Sequence, residues 1–215
     1  MSPNLIAEIP INLAYEDDLS LEILLQILKC KDVESSEKHF SLGTLFHGRG
    51  SGYLKRNIKG FNSASKGMPY LVLADLYKKE CAPKLVQEWL SETINPNLIF
   101  RVAVREVESW VLADRSGFAK FLGIAEDKMP KKPDELVDPK AHLIELARTS
   151  RKRGLRDDIV PKVRSTARQG PSYNERLVFF VRESWNPSQA RQNSPSLERT
   201  LKALEGFNPL WNAKY

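Results

Sequence analysis

Strands alternating with amphipathic helices predict an α/β fold for this 215-residue chain. Two observations carry the expectation. Three short apolar runs, Ile9 to Tyr15, Tyr70 to Asp75 and Leu98 to Val104, read as strands, and the second is so apolar that it suits a central parallel strand covered on both faces. The segments between and after them carry helical periodicity, the pattern of a mostly parallel sheet flanked by helices.

Taken in order, Asp17 or Asp18 can cap a helix through Leu19 to Cys30, with Leu21, Leu24, Leu25 and Leu28 as the expected sheet-facing stripe. From Lys31 to Gly67 the pattern weakens into polar, glycine-bearing sequence, with a helix expected around Tyr53 to Ile58. Lys84 to Ile94 supplies the next helix. After the strand at Leu98 comes a helical region with Val107, Trp110, Val111, Phe118, Phe121 and Leu122 on its apolar face, and Asp114 is expected to cap a second segment, Ser116 to Leu122. Beyond Gly123 the texture turns rich in proline and charge. Helices are expected at Leu143 to Gly154, Asn174 to Glu183 and Ser196 to Leu204, with a loop up to Pro171 and no further strand. The expected organisation is an α/β core over residues 1–125 and a basic, mainly helical C-terminal region over 126–215, the boundary falling near Glu126 to Pro133.

The length supports a sizeable core without disulfides, and Cys30 and Cys81 lack metal-site spacing. The N-terminal residues lack the pattern of a secretory signal, and no window approaches the roughly 18 apolar residues of a membrane span. The expectation is a soluble cytoplasmic protein without a membrane partner. Charge is uneven: from Arg148 to Lys202 there are 13 Lys/Arg against 5 Asp/Glu, while the whole chain carries +6. Such a basic region attracts phosphate backbones or acidic proteins.

Each apolar run ends at or near an acid: Glu16, Asp75, and Glu106 with Glu108. In an open parallel sheet the carboxyl ends of the strands form the ligand crevice, so acids placed there converge without being close in sequence. Hard carboxylate oxygens suit Mg²⁺ or Mn²⁺, and Glu16, Asp75 and Glu106 are the candidate metal ligands. Glu108 is a further candidate, and each acid could instead be a helix cap or a first-turn charge. The HGRGSG segment at His47 to Gly52 lacks the Gly-Lys-Ser/Thr ending of a phosphate loop and stands outside any clear strand-to-helix junction. No covalent triad is evident. In the segment from Arg148 to Asn174, cations accompany a single aromatic, Tyr173, which favours phosphate contact over base stacking. Asp157 and Asp158 are placed to pair with neighbouring arginines and blunt that patch.

The segments GRGSGYLKRNIKGF, PYLVLADLY, RVAVREVESWVLAD, DPKAHL, GPSYNERL and SPSLERTLKAL resemble the DUF4276 family over residues 15–204. That resemblance implies a Toprim-like fold, in which a glutamate follows the first strand and an Asp-x-Asp follows a later one. Glu16 matches the glutamate, Asp75 the first aspartate, and Glu106 with Glu108 the acids before the tryptophan. Tyr77 stands where the second aspartate is expected, and Asp17 where a glycine often follows the glutamate. The implied activity is a Mg²⁺- or Mn²⁺-dependent endonuclease subunit acting on DNA, or RNA, with an ABC-type or SMC-like ATPase in anti-phage defence. Glu16, Asp75, Glu106 and Glu108 would be catalytic. Lys140, Arg151, Lys152, Arg153, Arg156, Lys162, Arg164 and Arg168 would bind nucleic acid. A homo-oligomer is compatible with this expectation. The alternatives are a non-catalytic subunit with a degenerate acidic pocket that docks an ATPase or nucleic acid, and a phosphohydrolase acting on nucleotides.

Overall fold

The computed structural model describes residues 7–33, 38–48 and 50–211. In chain order its elements are β1 (Ala7–Tyr15), α1 (Asp18–Leu28), β2 (Lys38–His47), α2 (Ser51–Ala64), β3 (Tyr70–Asp75), α3 (Ala82–Trp89) and β4 (Leu98–Ala103). They are followed by α4 (Val107–Ala113), α5 (Arg115–Leu122), α6 (Pro139–Arg148), α7 (Arg153–Ile159), α8 (Tyr173–Glu183), α9 (Pro187–Ala190) and α10 (Pro195–Glu205). The four strands form one parallel sheet in the order β2-β1-β3-β4, and helices flank it, as the expected α/β class requires.

The chain divides into two compact units, Met1–Val102 with Arg199–Tyr215, and Ala103–Glu198. The break expected near residues 126–133 therefore falls inside the second unit, and α4 and α5 belong with the C-terminal helices.

In the first unit β3 is buried at every position, and β1 is buried from Ile11 to Tyr15, which makes these the central strands. β2 is the strand that the sequence hides. It is an edge strand with Leu42 and Leu45 about half exposed, so it lacks the continuous apolar run that marks β3. Its pairing with β1 is irregular between Ile11 and Leu13, where the Asn12 side-chain oxygen accepts from the Thr44 N–H at 2.7 Å. A Cβ at Gly43 would lie 2.4 Å from that oxygen, so the close approach requires glycine. Asp17 caps α1 by accepting from the Ser20 N–H at 2.8 Å. The buried face of α1 is Leu19, Ile23, Leu24, Ile27 and Leu28, rotated from the expected stripe, with Leu21 and Leu25 only half-buried.

In the second unit Trp110 is wholly buried; its indole N–H donates to the Ser196 hydroxyl at 2.7 Å, and Trp185 donates to the Trp110 carbonyl at 3.1 Å. Phe180 meets Phe118 edge-on at 5.1 Å and Phe121 at 5.0 Å, closing an aromatic core between α5 and α8. Asp114 caps α5 through the Gly117 N–H at 3.1 Å, as expected, and also accepts from the Asn186 N–H at 3.0 Å. The expected loop before Pro171 contains α7, whose buried residue is Ile159, and the short α9 was not anticipated. No helix among the described residues is long and apolar enough to cross a membrane.

Candidate functional site

From β1 the chain passes to β2 on one side and, through α2, to β3 on the other, so the strand order reverses between β1 and β3. This is the topological switch point, where an open parallel sheet leaves a crevice beyond its carboxyl ends. Glu16 immediately follows β1 and Asp75 ends β3, so the first unit places these two acids side by side at that position. Both are buried, at 5% and 7% exposure.

The Glu16 carboxylate is held from two sides. The Asp75 N–H donates to Oε1 at 3.2 Å, and the Tyr77 hydroxyl donates to Oε2 at 2.8 Å. Burial pushes the Glu16 pKa up, these two hydrogen bonds oppose the shift, and Asp17 adds to it. No cation of the described residues is among the causes. Tyr77 has a left-handed backbone, φ 50, and is 41% exposed. Burial of its hydroxyl, with the charges of Asp75 and Glu16, keeps it protonated far above the ordinary phenol range. The residue in the place of the expected second aspartate is therefore a hydrogen-bond donor to the first glutamate. The sequence offered one signal, a tyrosine two positions past the end of an apolar strand.

The HGRGSG segment does sit at a strand-to-helix junction, contrary to expectation, because β2 ends at His47 and α2 begins at Ser51. Arg49 lies outside the described residues. Gly48 donates to the Tyr15 carbonyl at 2.8 Å and Gly50 to the Gly48 carbonyl at 2.7 Å, so these amides are occupied within the loop and against β1. The His47 ring stacks on Tyr15, with centroids 5.2 Å apart.

Glu106 and Glu108 belong to the second unit. Glu106 precedes α4, and its Oε2 is buried without a hydrogen-bond partner. Burial raises its pKa, Asp138 adds to the rise, and the charge and backbone N–H of Lys140 oppose it. Glu108 is buried; its Oε1 accepts from the Tyr173 hydroxyl at 3.1 Å and lies 3.7 Å from the Lys140 ammonium, which stands 4.7 Å over the Tyr173 ring. Lys140, expected to meet phosphate, is thus engaged with an acid and an aromatic face.

Other cations are partly committed. Lys152 donates to the carbonyls of Lys120 and Phe121 at 3.1 and 2.8 Å, at the end of α5. Arg153 and Arg156 lie 3.7 and 3.8 Å from Asp157, and Arg176 2.6 Å from Asp158, the blunting expected of those aspartates. Arg151, Lys162, Arg164 and Arg168 remain exposed. A cavity of about 480 Å³ in the second unit is lined by Arg148, Arg156, Lys162, Asp157 and the apolar Val160, Pro161 and Val163. Arg148 was not anticipated there.

Among the described residues no group of three or more His, Cys, Asp and Glu is arranged to hold a metal. Mg²⁺ commonly takes only one or two carboxylates and keeps several waters, so the adjacent hard-oxygen donors of Glu16 and Asp75 fit its chemistry. Comparison with protein families, with curated proteins and with solved structures finds no match.

Proposed function

We propose that this chain is a Toprim-like, Mg²⁺-dependent nuclease subunit that cleaves nucleic acid, DNA in preference to RNA, with a partner ATPase controlling access. The observation that carries the proposal is the placement of Glu16 and Asp75 at the switch point between β1 and β3. Glu16 and Asp75 would hold the metal, which when bound supplies polarisation of a phosphodiester and activation of a water. The Tyr77 hydroxyl and the Asp75 N–H orient the Glu16 carboxylate. Exposed Arg151, Lys162, Arg164 and Arg168 are available to screen strand phosphates, with Arg148 and Arg156 at the basic cavity.

Cleavage of plasmid and oligonucleotide with Mg²⁺ or Mn²⁺, with and without the ATPase, tests the proposal. Glu16→Gln and Asp75→Asn should each abolish cutting and weaken Mn²⁺ binding measured by titration calorimetry. Unchanged cleavage in both variants would refute it. Glu106→Ala tests the second unit's acid separately.

One observation favours a second reading, a non-catalytic docking subunit: the Tyr77 hydroxyl occupies the side of Glu16 where a second acid was expected. That reading predicts no cleavage even with the partner present, and loss of complex formation on charge reversal at Arg151.

A further inference from the structure

The first unit contains a second group of charges that the acidic pair does not use. Arg101 is the fourth residue of β4. Strand alternation puts it on the face opposite Phe100, whose ring stacks on Trp89 of α3 with centroids 5.7 Å apart. The Arg101 side chain is largely withdrawn from solvent, and its Nε is buried without a hydrogen-bond partner. Among the described residues it meets neither a carboxylate nor a carbonyl acceptor. Just past β4 the Val104 N–H donates to the Ser196 hydroxyl of α10 at 3.4 Å, and Arg199 follows three residues later on that helix, as Arg101 precedes Val104 by three on the strand. Burial together with the Arg199 charge depresses the Arg101 pKa. Arg199 is exposed and likewise has no acid partner among the described residues, while its chain neighbour Glu198 is spent on Arg191.

Two guanidinium groups that act on each other without a carboxylate between them form an arrangement that an anion completes. Burial of an unpaired cation is costly, and a guanidinium cannot escape the cost by losing its proton. Its planar fork of donors matches the oxygens of phosphate, and a dianion would balance both charges.

We propose that Arg101 and Arg199 form an oxyanion site of the first unit whose ligand is a phosphate group. The group is carried by a small phosphorylated molecule or by a nucleic-acid strand. The site stands independently of the metal reading of Glu16 and Asp75.

Calorimetry and thermal unfolding of the full chain with inorganic phosphate, against chloride at matched ionic strength, test it. Wild type should bind phosphate and gain melting temperature that chloride does not provide. Arg101→Met should lose both, Arg101→Lys should retain only part, and exposed Arg199→Ala should weaken binding about tenfold, the loss of one charge-assisted contact. Should Arg101→Met fail to fold, Arg199→Ala carries the test. Displacement of phosphate by an unphosphorylated oligonucleotide would assign the site to a strand. Displacement only by a nucleoside monophosphate would assign it to a small ligand. Absence of a phosphate-specific effect in wild type, or wild-type phosphate binding retained in the Arg199 variant, would overturn the proposal.

Discussion

Each unit buries a glutamate that accepts a hydrogen bond from a tyrosine, and the two pairs have different chemistry. In the second unit Glu108 receives the hydroxyl of Tyr173, itself wholly buried, and the ammonium of Lys140. In the first unit Glu16 receives the hydroxyl of the 41%-exposed Tyr77 and a backbone N–H, without a cation among the described residues. Glu108 is therefore compensated within the protein, whereas Glu16 keeps a charge that burial disfavours. An acid supplied with its own lysine reads as architecture. An acid held in place with no lysine or arginine beside it among the described residues is suited to a cation that arrives later.

The largest effect that would break this contrast is at Glu108. Glu108→Leu should remove the carboxylate 3.7 Å from the Lys140 ammonium and the one that accepts from the Tyr173 hydroxyl, costing about 3 kcal/mol in urea unfolding. A loss below about 1 kcal/mol would place Glu108 with Glu16. The tyrosines come next. Tyr173→Phe should cost about 1–2 kcal/mol, and Tyr77→Phe about 1 kcal/mol or less, because Tyr77 is a partly exposed residue where Tyr173 is wholly buried.

Glu16→Gln sharpens the contrast through pH. Because burial raises the folded-state pKa above the unfolded one, the folded protein retains the proton longer. Stability then falls as pH rises from the ordinary carboxylate range through the folded pKa, and stays reduced above it. The variant should match wild type at acid pH and be relatively more stable at pH 8, as followed by melting temperature. A difference independent of pH would mean that Glu16 is ionised without penalty. The smallest effect sets the floor: Arg153→Ala, which removes an exposed pair with Asp157, should change stability by no more than about 0.5 kcal/mol.

The central strands were legible because burial on both faces leaves an apolar run in the sequence, as at Tyr70 to Asp75. β2 was not, since an edge strand with outward Leu42 and Leu45 has no such run, and missing it also hid the junction occupied by Gly48 and Gly50. α7 was masked by its charge, its one buried residue being Ile159. At the site, the approach of Glu16 to Asp75 followed from strand-end acids in a parallel sheet. The tyrosine partners did not, since Tyr77 and Tyr173 reach their glutamates across 61 and 65 residues of chain. Hydrogen bonds over such separations are set by the fold and leave no local pattern. The committed state of Lys140 and Lys152 was hidden for the same reason.

The Lys38 ammonium donates to the carbonyls of Leu204 and Glu205 at 2.9 and 2.7 Å, and Phe40 stacks on Phe207. These contacts join the edge strand to the segment around the end of α10, so the first unit is assembled from stretches that lie on either side of the second in sequence. On a ribosome the continuous stretch from Ala103 to Glu198 is finished before the last piece of the first unit has been made. The segment synthesised in the middle can reach its native state first. The unit whose strands are made first is then completed after it.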